Sequence, residues 1–139
     1  MPEINNYLIF HGNCAEAMRF YQKTLGGKLD LMTHGNSPIA DQIPPGSEDR
    51  ILHARLVFDG ATLMASDDMA TDTYQGMNGF SVALQYKTAA EAKRLFDALA
   101  KGGKVTMPLD KSFWAEAFGM LIDRFGTPWI INGAMIPLA

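Results

Sequence analysis

The chain has 139 residues, 12 Lys+Arg against 15 Asp+Glu and a formal net charge of −3, with 47% apolar and 19% charged residues. That length suits one domain, buries enough surface to fold without a disulfide or a metal, and its apolar content excludes a disordered tail. An acidic chain without a basic run is not built for nucleic acid or an anionic membrane.

The single Cys14 cannot close an internal disulfide, which points to a reducing cytoplasm. The opening residues carry no basic leader, and every apolar run is shorter than the ~20 residues a membrane span needs.

In chain order, Ile4–Phe10 is rich in β-formers and reads as a strand. Asn13 then offers an N-cap, Glu16 stands three residues on, and Cys14, Ala17, Met18, Tyr21 and Leu25 mark one stripe of a helix that Gly26-Gly27 should end. Lys28–Thr33, Ile51–Phe58 and Ala61–Ser66 read as strands, the last two joined by an Asp59-Gly60 hairpin turn. His34–Arg50 is a long irregular insertion, of a length that usually marks a functional loop.

Asp67–Gly79 joins this half to a second one. Phe80–Tyr86 reads as a strand, Thr88 as an N-cap with Glu91 three residues on, and Ala92, Leu95, Phe96 and Leu99 as a helical stripe ended by Gly102-Gly103. Strands follow over Lys104–Met107, Ala117–Asp123 and Pro128–Asn132. Asn13 and Thr88 stand 75 residues apart, as do Glu16 and Glu91, and the Gly-Gly-Lys exits 76 apart. The chain therefore reads as one domain over 1–139, duplicated as β-α-β-β-β units at about 4–67 and 79–134. Each unit is marginal alone, and two four-stranded sheets are expected to pair around a shared interior with the helices outside.

Alternation along the strands separates the side chains. Thr62, Met64 and Ser66 lie opposite Leu63 and Ala65; Ser81, Ala83 and Gln85 lie opposite Val82, Leu84 and Tyr86; His53 and Arg55 lie opposite Ala54 and Leu56. A small or polar second face suits either a cavity or solvent. Within a cavity, Arg55 would hold an anionic group and His53 would move a proton. Asp67 and Asp68, with Asp72 nearby, are candidates for acid–base work or simple loop caps. Trp114 and Phe113, in an irregular stretch, suit a pocket wall or a dimer interface, with Glu116 as a possible base beside them. Met64, Met69, Met77 and Met120 suit an adaptable apolar lining or an irregular core. Cys14 begins the helix stripe and reads as a packed residue.

The motifs Phe10-His11-Gly12-Asn13-Cys14-Ala15-Glu16-Ala17, Phe20-Tyr21 through Leu25-Gly26-Gly27, Phe113-Trp114 and Asp123-Arg124-Phe125-Gly126-Thr127-Pro128-Trp129 carry a family resemblance over residues 4–134. The chain resembles the vicinal oxygen chelate superfamily, which includes glyoxalase I, extradiol dioxygenases and bleomycin- and fosfomycin-resistance proteins, and in particular its PhnB-like branch. The resemblance implies an α+β fold of two βαβββ modules whose paired mixed sheets enclose a cavity, and a homodimer.

Metal-dependent relatives take His and Glu ligands from the first and fourth strands of each unit. Carried over, those places fall near Asn5 or Asn6, Met64, Ser81 and Ile130, and none is a ligand suited to a hard divalent ion. No metal and no other cofactor is expected. Some members carry a ubiquinone-methyltransferase label, but Gly12 stands alone where a nucleotide-type methyltransferase has a glycine-rich turn.

The expected role is metal-free binding of a small, partly apolar molecule, with Asn6, His53, Arg55, Met64, Ser66, Asp68, Ser81, Gln85, Trp114 and Glu116 as candidate contacts. The alternatives are a metal-dependent lyase, isomerase or dioxygenase with displaced ligands, such as His53 with Asp68 or Glu116, and an interaction module.

Overall fold

Each helix has a stripe to bury, and each finds one face of a four-stranded sheet for it. The computed structural model describes residues 2–43, 45–68 and 73–137, so the expectations for Met69 and Asp72 lie outside the described residues. The chain divides into two units, Met1–Gly76 and Met77–Ala139. The first runs β1 (Asn6–Phe10), α1 (Cys14–Leu25), β2 (Lys28–Thr33), β3 (Ile51–Phe58) and β4 (Ala61–Asp67). The second repeats the order as β5 (Val82–Tyr86), α2 (Ala89–Ala100), β6 (Lys104–Asp110), β7 (Ala115–Ile122) and β8 (Pro128–Met135). A 3-10 turn, Ala40–Gln42, lies in the insertion between β2 and β3.

Strand order is β1-β4-β3-β2 in one sheet and β5-β8-β7-β6 in the other. The pairs β1/β4 and β5/β8 are parallel and the remaining pairs antiparallel, because β-α-β connections cross over while the later strands fold back, through short links everywhere but at the 34–50 insertion. These are two mixed sheets with two helices, an α+β fold. No helix among the described residues is long and apolar enough to cross a membrane.

In the first unit, Cys14, Ala17, Met18 and Tyr21 of α1 are buried, as are Leu8, Phe10, Ala54, Leu56, Leu63 and Ala65 of the sheet. In the second, Ala92, Leu95, Phe96 and Leu99 are buried along with Ala115, Ala117, Leu121, Trp129 and Ile131. The alternation read from the sequence therefore holds over Arg55–Val57 of β3 and along β4, and strand edges move by up to three residues. The Gly-Gly exits do two jobs. Gly26 (φ 85°) and Gly102 (φ 76°) take the left-handed conformation, as a helix exit requires. Their successors admit a close approach: a Cβ on Gly27 would overlap the carbonyl of Val57, and one on Gly103 that of Ile122.

Candidate functional site

In the first unit, polar groups gather where β1, β3 and β4 reach the start of α1. Asp67, last residue of β4 and only 5% exposed, accepts through Oδ1 from the backbone N–H of Gly12 (2.8 Å) and Cys14 (3.0 Å). Its Oδ2 accepts from Ile51 N–H at 2.9 Å. One carboxylate thus ties three segments and satisfies donors at the helix start. Asn13 makes no side-chain cap there, contrary to the sequence expectation.

Burial, with the Asp67 carboxylate beside it, pushes the Cys14 thiol far above its ordinary range. The thiol is therefore held neutral and is no nucleophile.

Asp68 follows. It accepts from Nδ1 of His11 at 2.9 Å, and Arg50 Nη1 donates to its carbonyl at 2.6 Å and its carboxylate at 3.2 Å. Tyr74 stacks on the His11 ring, 5.2 Å between centroids, and donates to the Ile9 carbonyl at 2.8 Å. Burial, then Asp68 and Asp67, raise the pKa of its phenol. His11, Arg50 and Tyr74 were not among the sequence candidates. The Asp67-Asp68 pair was visible, but its partners come from positions 16 to 57 residues away. His34, in the insertion, is 2% exposed with both ring nitrogens unpartnered among the described residues.

On the face of this sheet turned away from α1, register places Tyr7 beside Met64, and Met64 beside Arg55, which lies opposite Asp30. Tyr7 Oη lies 3.2 Å from His53 Nδ1. Ser66 sits on the same face beside Ile9. His53, Arg55, Met64 and Ser66 therefore share one face, as expected. Asn6 has the opposite parity, with Leu8, and lines an open hollow of about 420 Å3 between Glu3–Asn6 and Gly60–Thr62. His53 and Asp68, considered together at the sequence level, have different partners.

In the second unit, Ser112 builds a turn that presents Trp114. Its Oγ accepts from the backbone N–H of Trp114 (3.3 Å) and Ala115 (3.1 Å), and its own N–H donates to the Ala115 carbonyl at 3.0 Å. The Trp114 indole donates to Asn132 Oδ1 at 3.3 Å and stands edge-on to Phe118, 4.9 Å between centroids at 71°. Phe113 makes a second edge contact at 4.6 Å and 83°. Trp114 and Phe118 border a hollow of about 340 Å3 completed by Met107, Pro108, Asp110, Lys111 and Ser112.

Gln85 pairs with Asn132, so it belongs to the same sheet face as the indole's acceptor. Ser81 ends just before β5. Glu116 is exposed on β7 and does not line the hollow. Of the sequence candidates in this unit, Trp114 is the one the geometry makes into a wall.

Two mixed sheets of this order, each carrying one helix, define the glyoxalase/bleomycin-resistance fold of the vicinal oxygen chelate superfamily. The likeness extends to a fosfomycin resistance protein, FosX, from Listeria monocytogenes, solved with Mn(II) and 1S,2S-dihydroxypropylphosphonic acid (TM-score 0.63, 10% identity, 95% of this chain and 92% of that one), which speaks to fold alone. Within that superfamily the chain belongs to the PhnB-like family, whose model, described as 3-demethylubiquinone-9 3-methyltransferase, matches residues 2–132. Protein YjdN of Escherichia coli K12 is 38% identical over 95% of both chains. The crystal structure of protein PA1353 from Pseudomonas aeruginosa superposes with a TM-score of 0.88 at 48% identity, covering 96% of this chain and 98% of that one.

The carried-over places hold Asn5 or Asn6, Met64, Ser81 and Ile130, and among the described residues no group of three or more His, Cys, Asp or Glu is placed to hold an ion. A neutral amide and a thioether do not make a hard divalent site.

Proposed function

We propose that this PhnB-like protein binds a small, partly apolar molecule without a metal, and that the Trp114 hollow is its contact surface in the second unit. The observation that carries the reading is the fixed indole. Trp114 is held from behind by Asn132 and from the side by Phe118, while Ser112 secures its backbone, so a ring is pre-set beside a hollow of about 340 Å3. A rigid aromatic wall binds at low conformational cost. The 3-demethylubiquinone-9 3-methyltransferase description of the family is not supported by this fold, since two mixed four-stranded sheets supply no doubly wound nucleotide crevice. By the resemblance, the working species is a homodimer, which sedimentation equilibrium tests by mass, and the lone Cys14 fits a reducing cytoplasm.

The test is a thermal-shift screen of small aromatic compounds against the parent and Trp114→Ala. Ligand at about 100 times its Kd adds ~2.7 kcal/mol of stability, a readily seen shift. Stabilisation of the parent that Trp114→Ala loses supports the reading, and stabilisation unchanged in that variant removes it. The alternative of displaced metal ligands would draw on His53, Asp68 or Glu116, but Tyr7 engages His53, while His11 and Arg50 engage Asp68. Metal analysis of untagged protein decides it, a stoichiometric transition metal restoring the metal reading.

A further inference from the structure

The Trp114 hollow is walled by aromatic rings yet carries a carboxylate. The β6/β7 ladder shifts register twice, between Val105 and Met107 and again between Met107 and Asp110, so that Met107 pairs with Met120 and Asp110 with Phe118. Such bulges re-aim side chains, and the second sets Asp110 opposite Phe118 at the hollow's edge. Asp110 Oδ1 accepts from the Lys111 backbone N–H at 2.8 Å, which fixes the carboxylate. No cationic side chain among the described residues pairs with it.

Lys111 also borders the hollow, so the lining carries one charge of each sign. The two are not equivalent. The carboxylate is anchored by its own loop, whereas the ammonium sits on a flexible stem and hydrates strongly. The faces of indole and phenyl rings bear negative potential and attract cations. A ring face turned to a ligand in the hollow and the carboxylate would therefore act with the same sign.

We infer that the hollow selects an organic cation, an alkyl- or arylammonium group seated against Trp114 and Phe118 with Asp110 as counter-charge. This rests on the reading of the hollow as a ligand site, and the experiment separates the two.

The full chain, labelled with 15N, has two tryptophans. Their indole N–H signals report separately on the hollow (Trp114) and the core, where Trp129 donates to Asp123 Oδ2 at 2.8 Å. The probes are benzyltrimethylammonium, benzyl alcohol and phenylacetate. The Trp114 signal should move while that of Trp129 stays, with the ammonium binding about 3- to 10-fold more tightly than the alcohol.

Asp110→Asn keeps an oxygen for the Lys111 N–H, and should weaken the ammonium roughly 2- to 5-fold while leaving the alcohol unchanged. Lys111→Gln should strengthen the ammonium. Equal affinity for all three probes, each moving the Trp114 signal, would overturn the cation selectivity and leave the ligand site standing. Phenylacetate binding best, and losing that advantage in Lys111→Gln, would overturn it in favour of an anion. A Trp114 signal that no probe moves removes both the site and its selectivity.

Discussion

The two units share an element order and start their helices by different means. In the second, Thr88 accepts from Glu91 N–H at 3.1 Å and its hydroxyl lies 3.1 Å from the Glu91 carboxylate, so the cap is built within four consecutive residues. In the first, Asn13 leaves its cap position unused, and Asp67 accepts from Gly12 and Cys14 across a separation of more than 50 residues. The register shows what makes this possible. Asp67 is paired with Phe10 at the end of β1/β4, and the corresponding pair of β5/β8 is Tyr86 with Gly133.

A carboxylate at one position and a hydrogen at the other are two solutions to the same junction. Gly133 lets α2 sit directly on the strand; Asp67 fills the space and supplies acceptors. A local cap stabilises its helix alone, whereas a tertiary cap makes the helix start depend on β3 and β4 being in place.

The largest expected effect breaks the tertiary solution. Asp67→Ala strands the N–H groups of Gly12, Cys14 and Ile51, each of which loses its carboxylate acceptor. Gly12 is part-buried, so the cost falls on the two buried donors, Cys14 and Ile51; at ~1–3 kcal/mol for each the loss should reach at least about 2 kcal/mol by urea denaturation. A loss below about 1 kcal/mol would mean that other groups replace the carboxylate easily, and the contrast between the units would dissolve.

Next comes the matching position. A Cβ at Gly133 would lie 2.5 Å from the Ala92 Cβ and 2.8 Å from the Thr88 carbonyl. Gly133→Ala should therefore cost about 1–3 kcal/mol through overpacking, even though alanine is otherwise the better strand residue. An unchanged urea midpoint would show that α2 can move away without penalty, and would undo the claim that the glycine sets the helix against the strand.

What the sequence made legible follows the range of each interaction. Both helices, the eight strands and the buried stripes follow from periodicities within a dozen residues, and Thr88-Glu91 is legible because both partners lie in one turn. Asn13 and Glu16 offered the same pattern, but tertiary structure overrode it, since a buried carboxylate already served the donors. His53, Arg55, Met64 and Ser66 fell on one face because alternation along a strand is strict. The His11-Asp68-Arg50 contacts were not legible, because three chain segments meet only after the sheet has formed. The hollow beside Trp114 depends on a bulge in β6, a two-against-one count that one strand read alone does not reveal.

A smaller effect concerns pH. The ordinary thiol value is 9.0, and burial holds the folded Cys14 thiol protonated well beyond it. Above pH 9 the unfolded chain binds fewer protons than the folded one, so stability should fall as pH rises, by about 1.4 kcal/mol at pH 10. Cys14→Ala shifts overall stability by a cavity term but removes this slope. The measurement is the difference between parent and variant in urea midpoints from pH 7 to pH 10. A difference that does not change with pH would show that the folded thiol ionises where the unfolded one does, which the burial of Cys14 beside Asp67 argues against.

The smallest effect is also the sharpest test of the contrast, because it asks the same question of two N-cap positions. Thr88→Ala removes the acceptor for Glu91 N–H and should cost ~1 kcal/mol. Asn13→Ala removes no cap bond and should stay within about 0.5 kcal/mol of the parent, since a surface change that breaks no such feature is near neutral. Asn13 nevertheless belongs to the residue class that caps helices best, so propensity alone ranks the two losses the other way round. Equal losses at both positions would mean that Asn13 shares the capping of α1 in solution. A near-neutral Asn13→Ala beside a costly Thr88→Ala fixes the difference on Asp67, whose carboxylate has no counterpart at Gly133.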